Sequence, residues 1–556
     1  MLAYAAARVR SQVGALRAAT LTPEHTASLN PTLSGDGRRI VFESTADLNG
    51  EGGASRFRAF VADATGEPFS FSQVASSRAP AAAISQDGSS IAFSSAEDLT
   101  GENADRNSEI FLFAANHLTQ ITNTTPADVS SRAHDGNFQP SLSDDGQLVA
   151  FASNRDLTGE NGDGNLEIFL YEIAAHRFTQ VTNTAGTLGA SDAKLSGDGS
   201  RVAFIRDNAP ANSVAPPQRD LVLYARASKN SLTLVENVNA IAFSPGRCLS
   251  DDGTRVVYAA ETSPNASQIF LYDGRNDVIR QITKLNSRVS DVPLNATISG
   301  DGSRISFATR RSVIGGNSDA SVELYLYDLP SNQFSRVTDA PVSATSQVVA
   351  SLNDDGSLVA FNFPRVLAGA VTSDEFANNS EIFLSALPAR TPFSSDLHLR
   401  HGATPDRDLP SDKPLAPSQI AVARGNNLAL SSAQAQRQSD GTFPRVFKNT
   451  SVTVNGRAAQ IFFVSPTQIN FQIPDETETG AALVVVTNHD GYESRGVVQI
   501  SRTAPGIFTE RGDGTGAAIA LDAATQLRAP FDPRDGANGS RRVTIFATGI
   551  RHAETV

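Results

Sequence analysis

One ten-residue pattern, apolar-Ser-x-Asp-Gly-x-x-apolar-small-aromatic, recurs seven times in this chain of 556 residues. It reads LSGDGRRIVF from Leu33, ISQDGSSIAF from Ile84, LSDDGQLVAF from Leu142 and LSGDGSRVAF from Leu195. It continues as LSDDGTRVVY from Leu249, ISGDGSRISF from Ile298 and LNDDGSLVAF from Leu352, where Asn353 replaces the serine. The spacing averages about 53 residues, close to the roughly 40–50 of four-stranded propeller units. A repeated unit that cannot bury its apolar faces alone must stack on its neighbours.

Each repeat carries the parts of such a unit. Asp-Gly between two apolar segments is a strong hairpin signal, because the tight turn requires positive φ. The pairs Asp36-Gly37, Asp87-Gly88, Asp145-Gly146, Asp198-Gly199, Asp252-Gly253, Asp301-Gly302 and Asp355-Gly356 are therefore read as structural turns. A catalytic group is needed once, whereas a turn is needed in every unit. Third strands follow as EIFLF from Glu109, EIFLY from Glu167, DLVLY from Asp220, QIFLYD from Gln268, ELYLYD from Glu323 and EIFLS from Glu381. Shorter fourth strands read TQIT from Thr119, TQVT from Thr179, TLVE from Thr233, RQIT from Arg280 and SRVT from Ser335. Their period-two alternation suits half-buried antiparallel strands. The seventh unit lacks a fourth strand, and ALRAATLT from Ala15 has the length and character to supply it, closing the ring.

The SxDG, VAF and IFLY signatures resemble the TolB-like propeller repeats of bacterial envelope proteins. The resemblance covers about residues 15–388 and implies a WD-like repeat fold. TolB has six such repeats, so its partner-binding surface is not carried over. Beyond a Pro-rich, charged stretch at 389–417 read as a linker, alternating β sequence runs from Thr450 with turns at Asn455-Gly456 and Ser465-Pro466. VNGRAAQIFFVSPTQINFQIP, VVVTN and APGIF resemble the immunoglobulin-like C-terminal domain of large exported proteins of Solibacter-type bacteria. That resemblance spans about residues 418–556 and implies export and surface attachment. The chain is expected to be truncated at VTIFATGIRHAETV, where further strands would follow. The expected architecture is all-β: a seven-bladed β-propeller over 1–388, the linker, and an immunoglobulin-like β-sandwich domain over 418–556.

Composition narrows the function. A net charge of −13 offers no clustered basic face for a phosphate backbone, so nucleic acid is not an expected partner. One cysteine, Cys248, excludes an internal disulfide framework and a cysteine zinc cage. No run of eighteen apolar residues predicts a membrane span, and arginines interrupt the N-terminal segment, so no signal peptide is visible.

No catalytic, cofactor or metal residue is singled out. A serine peptidase would need a Gly-x-Ser-x-Gly elbow and an α/β domain, and neither occurs. The histidines are scattered, and His398-x-x-His401 is read as a solvated pair in the linker. Small residues two positions before each repeat's Ser or Asn (Thr32, Ala83, Ser141, Cys248, Thr297, Ser351) line the expected channel, with Lys194 and nearby Asp192 as its candidate polar groups. The motifs Asn103-x-Asp105-x-Asn107-x-Glu109, Asn161-x-Asp163-x-Asn165-x-Glu167 and Asn317-x-Asp319-x-Ser321-x-Glu323 alternate oxygen-bearing residues as calcium loops do. Without the full calcium-site pattern they are read as turns. The expectation is a periplasmic or extracellular binding or scaffold protein that is not an enzyme, with a protein or glycan partner at the cell envelope. The competing expectation is an extracellular polysaccharide-degrading propeller enzyme.

Overall fold

In the computed structural model, described residues run from 16 to 551 apart from internal segments, the longest being 127–135, 209–217, 286–293, 368–378, 389–396, 404–413 and 529–541. The chain divides into two compact units, Met1–Leu329 with Gln333–Ala389, and Pro330–Asn332 with Arg390–Val556. Residues 1–15 of the N-terminal segment read for a signal core lie outside the described residues.

The first unit is a β-propeller built of seven four-stranded antiparallel sheets, six of them with strands in sequence order from the inner edge and the seventh completed by the N-terminal strand. The first blade comprises Ser28–Leu33, Arg39–Ser44, Arg58–Asp63 and Ser70–Ala75. The repeat motif supplies the turn and the second strand of every blade and the end of the first strand in all but the fifth, whose first strand, Ile241–Ala242, precedes it. All seven Asp-Gly pairs form the hairpin turn between them, with glycine φ from 62° to 74°. In each turn the aspartate accepts from the backbone two residues on, as Asp36 does from Arg38 N at 3.0 Å.

The aromatic that closes each motif meets the third strand directly. Phe42 pairs with Phe60, Phe93 with Phe111, Phe151 with Phe169, Tyr258 with Phe270, Phe307 with Tyr325 and Phe361 with Phe383. The rings lie stacked at 5.5–6.1 Å between centroids. Such pairs contribute about 0.5–1.5 kcal/mol beyond their burial. The expected half-burial of the third strands is corrected here: residues 167–171 are buried at every position, because neighbouring blades cover both faces. The fourth strands keep the alternation, as in Gln333–Arg336.

In blades two and three the fourth strands start and stop earlier than their sequence suggested, at His117–Gln120 and Arg177–Gln180, because the threonines beyond them do another job. Thr122 Oγ1 donates to buried Glu109, and Thr124 donates to it from N at 2.6 Å and from Oγ1 at 2.7 Å. Ring closure uses the same lock. Leu16–Ala18 pairs with Ser380–Ala386 as the outer strand of the seventh blade. Beyond it, Thr20 Oγ1 donates to Glu381 at 2.5 Å, and Thr22 donates from N at 2.7 Å and from Oγ1 at 3.0 Å.

The second unit is also β. One five-stranded sheet orders His398–His401, Ile420–Arg424, Gln468–Gln472, Gln460–Val464 and Ala433–Gln434. The other contains Val446–Phe447, Thr450–Val454, Gly480–Thr487 and Glu493–Ile500, with Arg457–Ala458 on its margin. Their inward residues, among them Val452, Val454, Ile461, Phe471, Val484 and Val486, form one core. The Asn455-Gly456 turn has positive φ at both positions, the pairing a two-residue hairpin needs. A correction concerns His398 and His401. They lie on a strand of this sheet and not in a solvated linker, and His401 Nε2 sits 2.9 Å from Ala504 O. Much of the remaining linker stretch lies outside the described residues.

Candidate axial site

The hairpin turns of the seven blades meet around the propeller axis through one ring of backbone hydrogen bonds. Asp36 N donates to Gln86 O at 2.8 Å, Gln86 N to Asp144 O at 2.9 Å and Asp144 N to Gly197 O at 2.8 Å. Asp198 N donates to Asp251 O at 2.9 Å, Asp251 N to Gly300 O at 2.7 Å, and Asp301 N to Asp354 O at 2.8 Å. Asp354 N closes the circle on Gly35 O at 2.9 Å. The variable residue of the S-x-D-G motif is therefore the one brought to the axis: Gly35, Gln86, Asp144, Gly197, Asp251, Gly300 and Asp354.

Three of these are acidic, and one oxygen of each of Asp144, Asp251 and Asp354 lies within 4.8 Å of the others. Arg247, just upstream of the fifth repeat, extends its guanidinium among them. It pairs with Asp354 at 2.7 Å, with Asp144 at 3.4 Å and with Asp251 at a shorter separation. Glycine alternates with the acids because the space is taken. A Cβ on Gly197 would lie 2.0 Å from Asp144 Oδ2 and 2.8 Å from Asp251 Oδ1, and one on Gly35 would lie 2.3 Å from Asp354 Oδ2. Gly197→Ala is expected to cost about 1–3 kcal/mol in unfolding free energy through overpacking. Gly162→Ala, where a Cβ meets nothing within 4 Å, is expected to change little.

One guanidinium does not balance three carboxyls. Burial, with repulsion from Asp144 and Asp354, pushes the Asp251 carboxyl up to about 7 against the pull of Arg247. Burial likewise raises Asp144, although Arg247 opposes it. For Arg247 itself, burial disfavours the charge, but the three carboxylates more than offset it and hold its pKa high. Because the folded value of Asp251 exceeds its unfolded one, its contribution to stability is fullest below pH about 4 and is lost as pH rises through about 7.

Below the cluster is a cavity of about 50 Å³ lined by Thr32, Ala83, Ser141, Lys194, Arg247 and Ser351, among others. Lys194 thus reaches the channel, where it donates to Pro245 O at 3.1 Å. Asp192 sits at a β-bulge with φ of 54°, equivalent to Asn30 and Gln139 in other blades, so its backbone position explains it. Ser141 and Ser351 of the same small-residue register accept backbone hydrogen bonds from Leu195 and Leu33 of adjacent blades. Cys248 is buried, and burial pushes its thiol up to about 11, which leaves no reactive thiolate near neutral pH. The acidic triad and Arg247 are missing from the sequence reading. The visible signal was the contrast between S-D-D-G and S-G-D-G, which alternates along the repeats.

No protein-family model matches the sequence, and no curated protein does. Solved structures are similar to it. An oligogalacturonate lyase in complex with manganese is 12% identical, with 68% of this chain and 94% of that one covered at a TM-score of 0.43. TolB from Acinetobacter baumannii is 20% identical over 55% and 64% of the two chains, with a TM-score of 0.35. Pyrococcus horikoshii acylaminoacyl peptidase is 11% identical over 73% and 59%, with a TM-score of 0.42. These likenesses are of fold alone. The all-β, four-stranded sheets fit the TolB-like propeller expected from the repeats. The expectation that the chain is not an enzyme is corrected: the similar solved structures include an oligogalacturonate lyase and peptidases. Among the described residues no helix is long and apolar enough to cross a membrane.

Proposed function

We propose that this chain is a periplasmic or extracellular recognition protein whose propeller engages a protein partner at the axial mouth. The partner presents a lysine or arginine side chain to Asp144, Asp251 and Asp354, and the second, immunoglobulin-like unit spaces or anchors the disc. The observation that carries this reading is the convergence of three carboxyl groups from alternate blades on a single guanidinium. A second cation there would offset repulsion that Arg247 alone leaves in place. The cavity beneath, at about 50 Å³, is far below the roughly 300–1,000 Å³ of small-molecule pockets, which favours the tip of a side chain over a sugar ring.

The experiment is calorimetric titration of the full chain with a lysine- and arginine-rich peptide and with a matched acidic peptide, at pH 8 and pH 5.5. Saturable binding of the basic peptide is expected, weakening about tenfold at pH 5.5 as Asp251 takes up a proton. Asp144→Asn and Asp354→Asn are each expected to weaken it further. Equal affinity for the acidic peptide, or indifference to both substitutions, would rule the reading out.

A further inference from the structure

The loops joining the second and third strands of blades two and three carry buried oxygens that no donor reaches. Asn103 and Asn107 are 1% and 0% exposed, and the Oδ1 of each has no hydrogen-bond partner. In the next blade the corresponding atoms, Asn161 Oδ1 and Asn165 Oδ1, are equally unpartnered, as is Glu167 Oε2. Every orphan here is an acceptor. The amide nitrogens are all in use: Asn103 Nδ2 donates to Asn107 O at 3.0 Å, Asn107 Nδ2 to Thr124 O at 2.7 Å, Asn161 Nδ2 to Asn165 O at 3.0 Å and Asn165 Nδ2 to Leu188 O at 2.8 Å. Turning an amide over would orphan a nitrogen instead, so these bonds fix the orientation of each oxygen. A buried polar atom without a partner costs about 1–3 kcal/mol, and the same cost recurring in two equivalent loops calls for a positive partner.

The loop backbone shows where that partner would sit. The fourth position of each motif is left-handed, with φ of 54° at Arg106, 67° at Gly164 and 56° at Ala320. In blade six the fifth position is Ser321, and its Oγ lies 3.1 Å from Asn317 Oδ1, 2.9 Å from Asp319 Oδ1 and 2.7 Å from Glu323 Oε1. In blade six the first, third and seventh side chains of the motif thus converge on the fifth, and one hydroxyl proton serves three acceptors. Blades two and three have asparagine at that fifth position, and in blade three Asp163 Oδ2 also accepts from Gly186 N at 2.9 Å. A hard cation with a flexible shell of six to eight oxygens suits such a set better than one that demands a rigid octahedron.

We infer that these two loops each bind a calcium ion, one held by Asn103, Asp105 and Asn107 and the other by Asn161, Asp163 and Asn165. The full chain, stripped with a chelator, is titrated calorimetrically with calcium chloride and with magnesium chloride, and its Tm is followed in parallel. Two calcium sites are expected, with a Tm rise of about 3–6 °C at about 2 mM calcium, above the about 10⁻⁴–10⁻³ M range of extracellular calcium modules. Magnesium is expected to give neither. Asp105→Asn should leave one site, and Asp105→Asn with Asp163→Asn should abolish both the heat and the Tm shift. Asp163 is exposed and Asp105 half-buried, and Asp→Asn keeps the side-chain shape, so these variants are expected to fold. Absence of binding and of any Tm shift would overturn the inference, leaving the oxygens to buried water. Binding that survives the double variant but disappears in Asp251→Asn would overturn it too, by placing the ion on the axis.

Discussion

Replacing Arg247 with methionine is expected to destabilise the propeller by about 3–5 kcal/mol at pH 8, the cost of leaving buried charge uncompensated. The side chain reaches carboxyl groups of three blades, Asp144, Asp251 and Asp354, and is itself only 15% exposed. The loss should shrink at pH 5, because protonation of Asp251 removes much of the repulsion that the guanidinium offsets. Thermal unfolding of the variant at both pH values measures this. Adding Asp251→Asn should restore part of the loss at pH 8 and little at pH 5, a coupling that a double-mutant cycle reads directly. A loss independent of pH would show that Arg247 acts by packing and not by charge.

The second large effect is expected at the seam of the ring. Glu381 is fully buried and accepts from Thr20 and Thr22, residues more than 350 positions away in the chain. Glu381→Ala orphans Thr22 N and the threonine hydroxyls, and a cost of about 2–5 kcal/mol follows from stranding two or more buried donors. The consequence should exceed that of the same change at Glu109, which is held by Thr122 and Thr124 of its own blade. There the lock joins neighbours in sequence, whereas Glu381 holds the ends of the array together. Limited proteolysis is the discriminating measurement: Glu381→Ala should speed cleavage near residues 16–22, and Glu109→Ala should not. Equal cleavage in the two variants would mean that the outer strand holds without its threonine lock.

What the sequence determined by itself is local. Asp-Gly at each turn, the aromatic that ends each motif and the alternation of the outer strands follow from backbone conformation and side-chain shape within about fifty residues, so all were legible. Closure was legible too, since ATLT ahead of the first repeat offers the same spaced threonines as ITNT and VTNT. The full burial of the middle strands was not, because it depends on how blades press together. The axial cluster was decided only in three dimensions. Asp144, Asp251 and Asp354 stand more than a hundred residues apart, and each looks like one variable letter in a turn motif. The hydrogen-bonded ring brings that letter to the axis seven times, and charges distant in sequence then share one small, poorly solvated space. The same holds for the loop asparagines: their spacing was plain in the sequence, but only packing revealed that their nitrogens are satisfied and their oxygens are not.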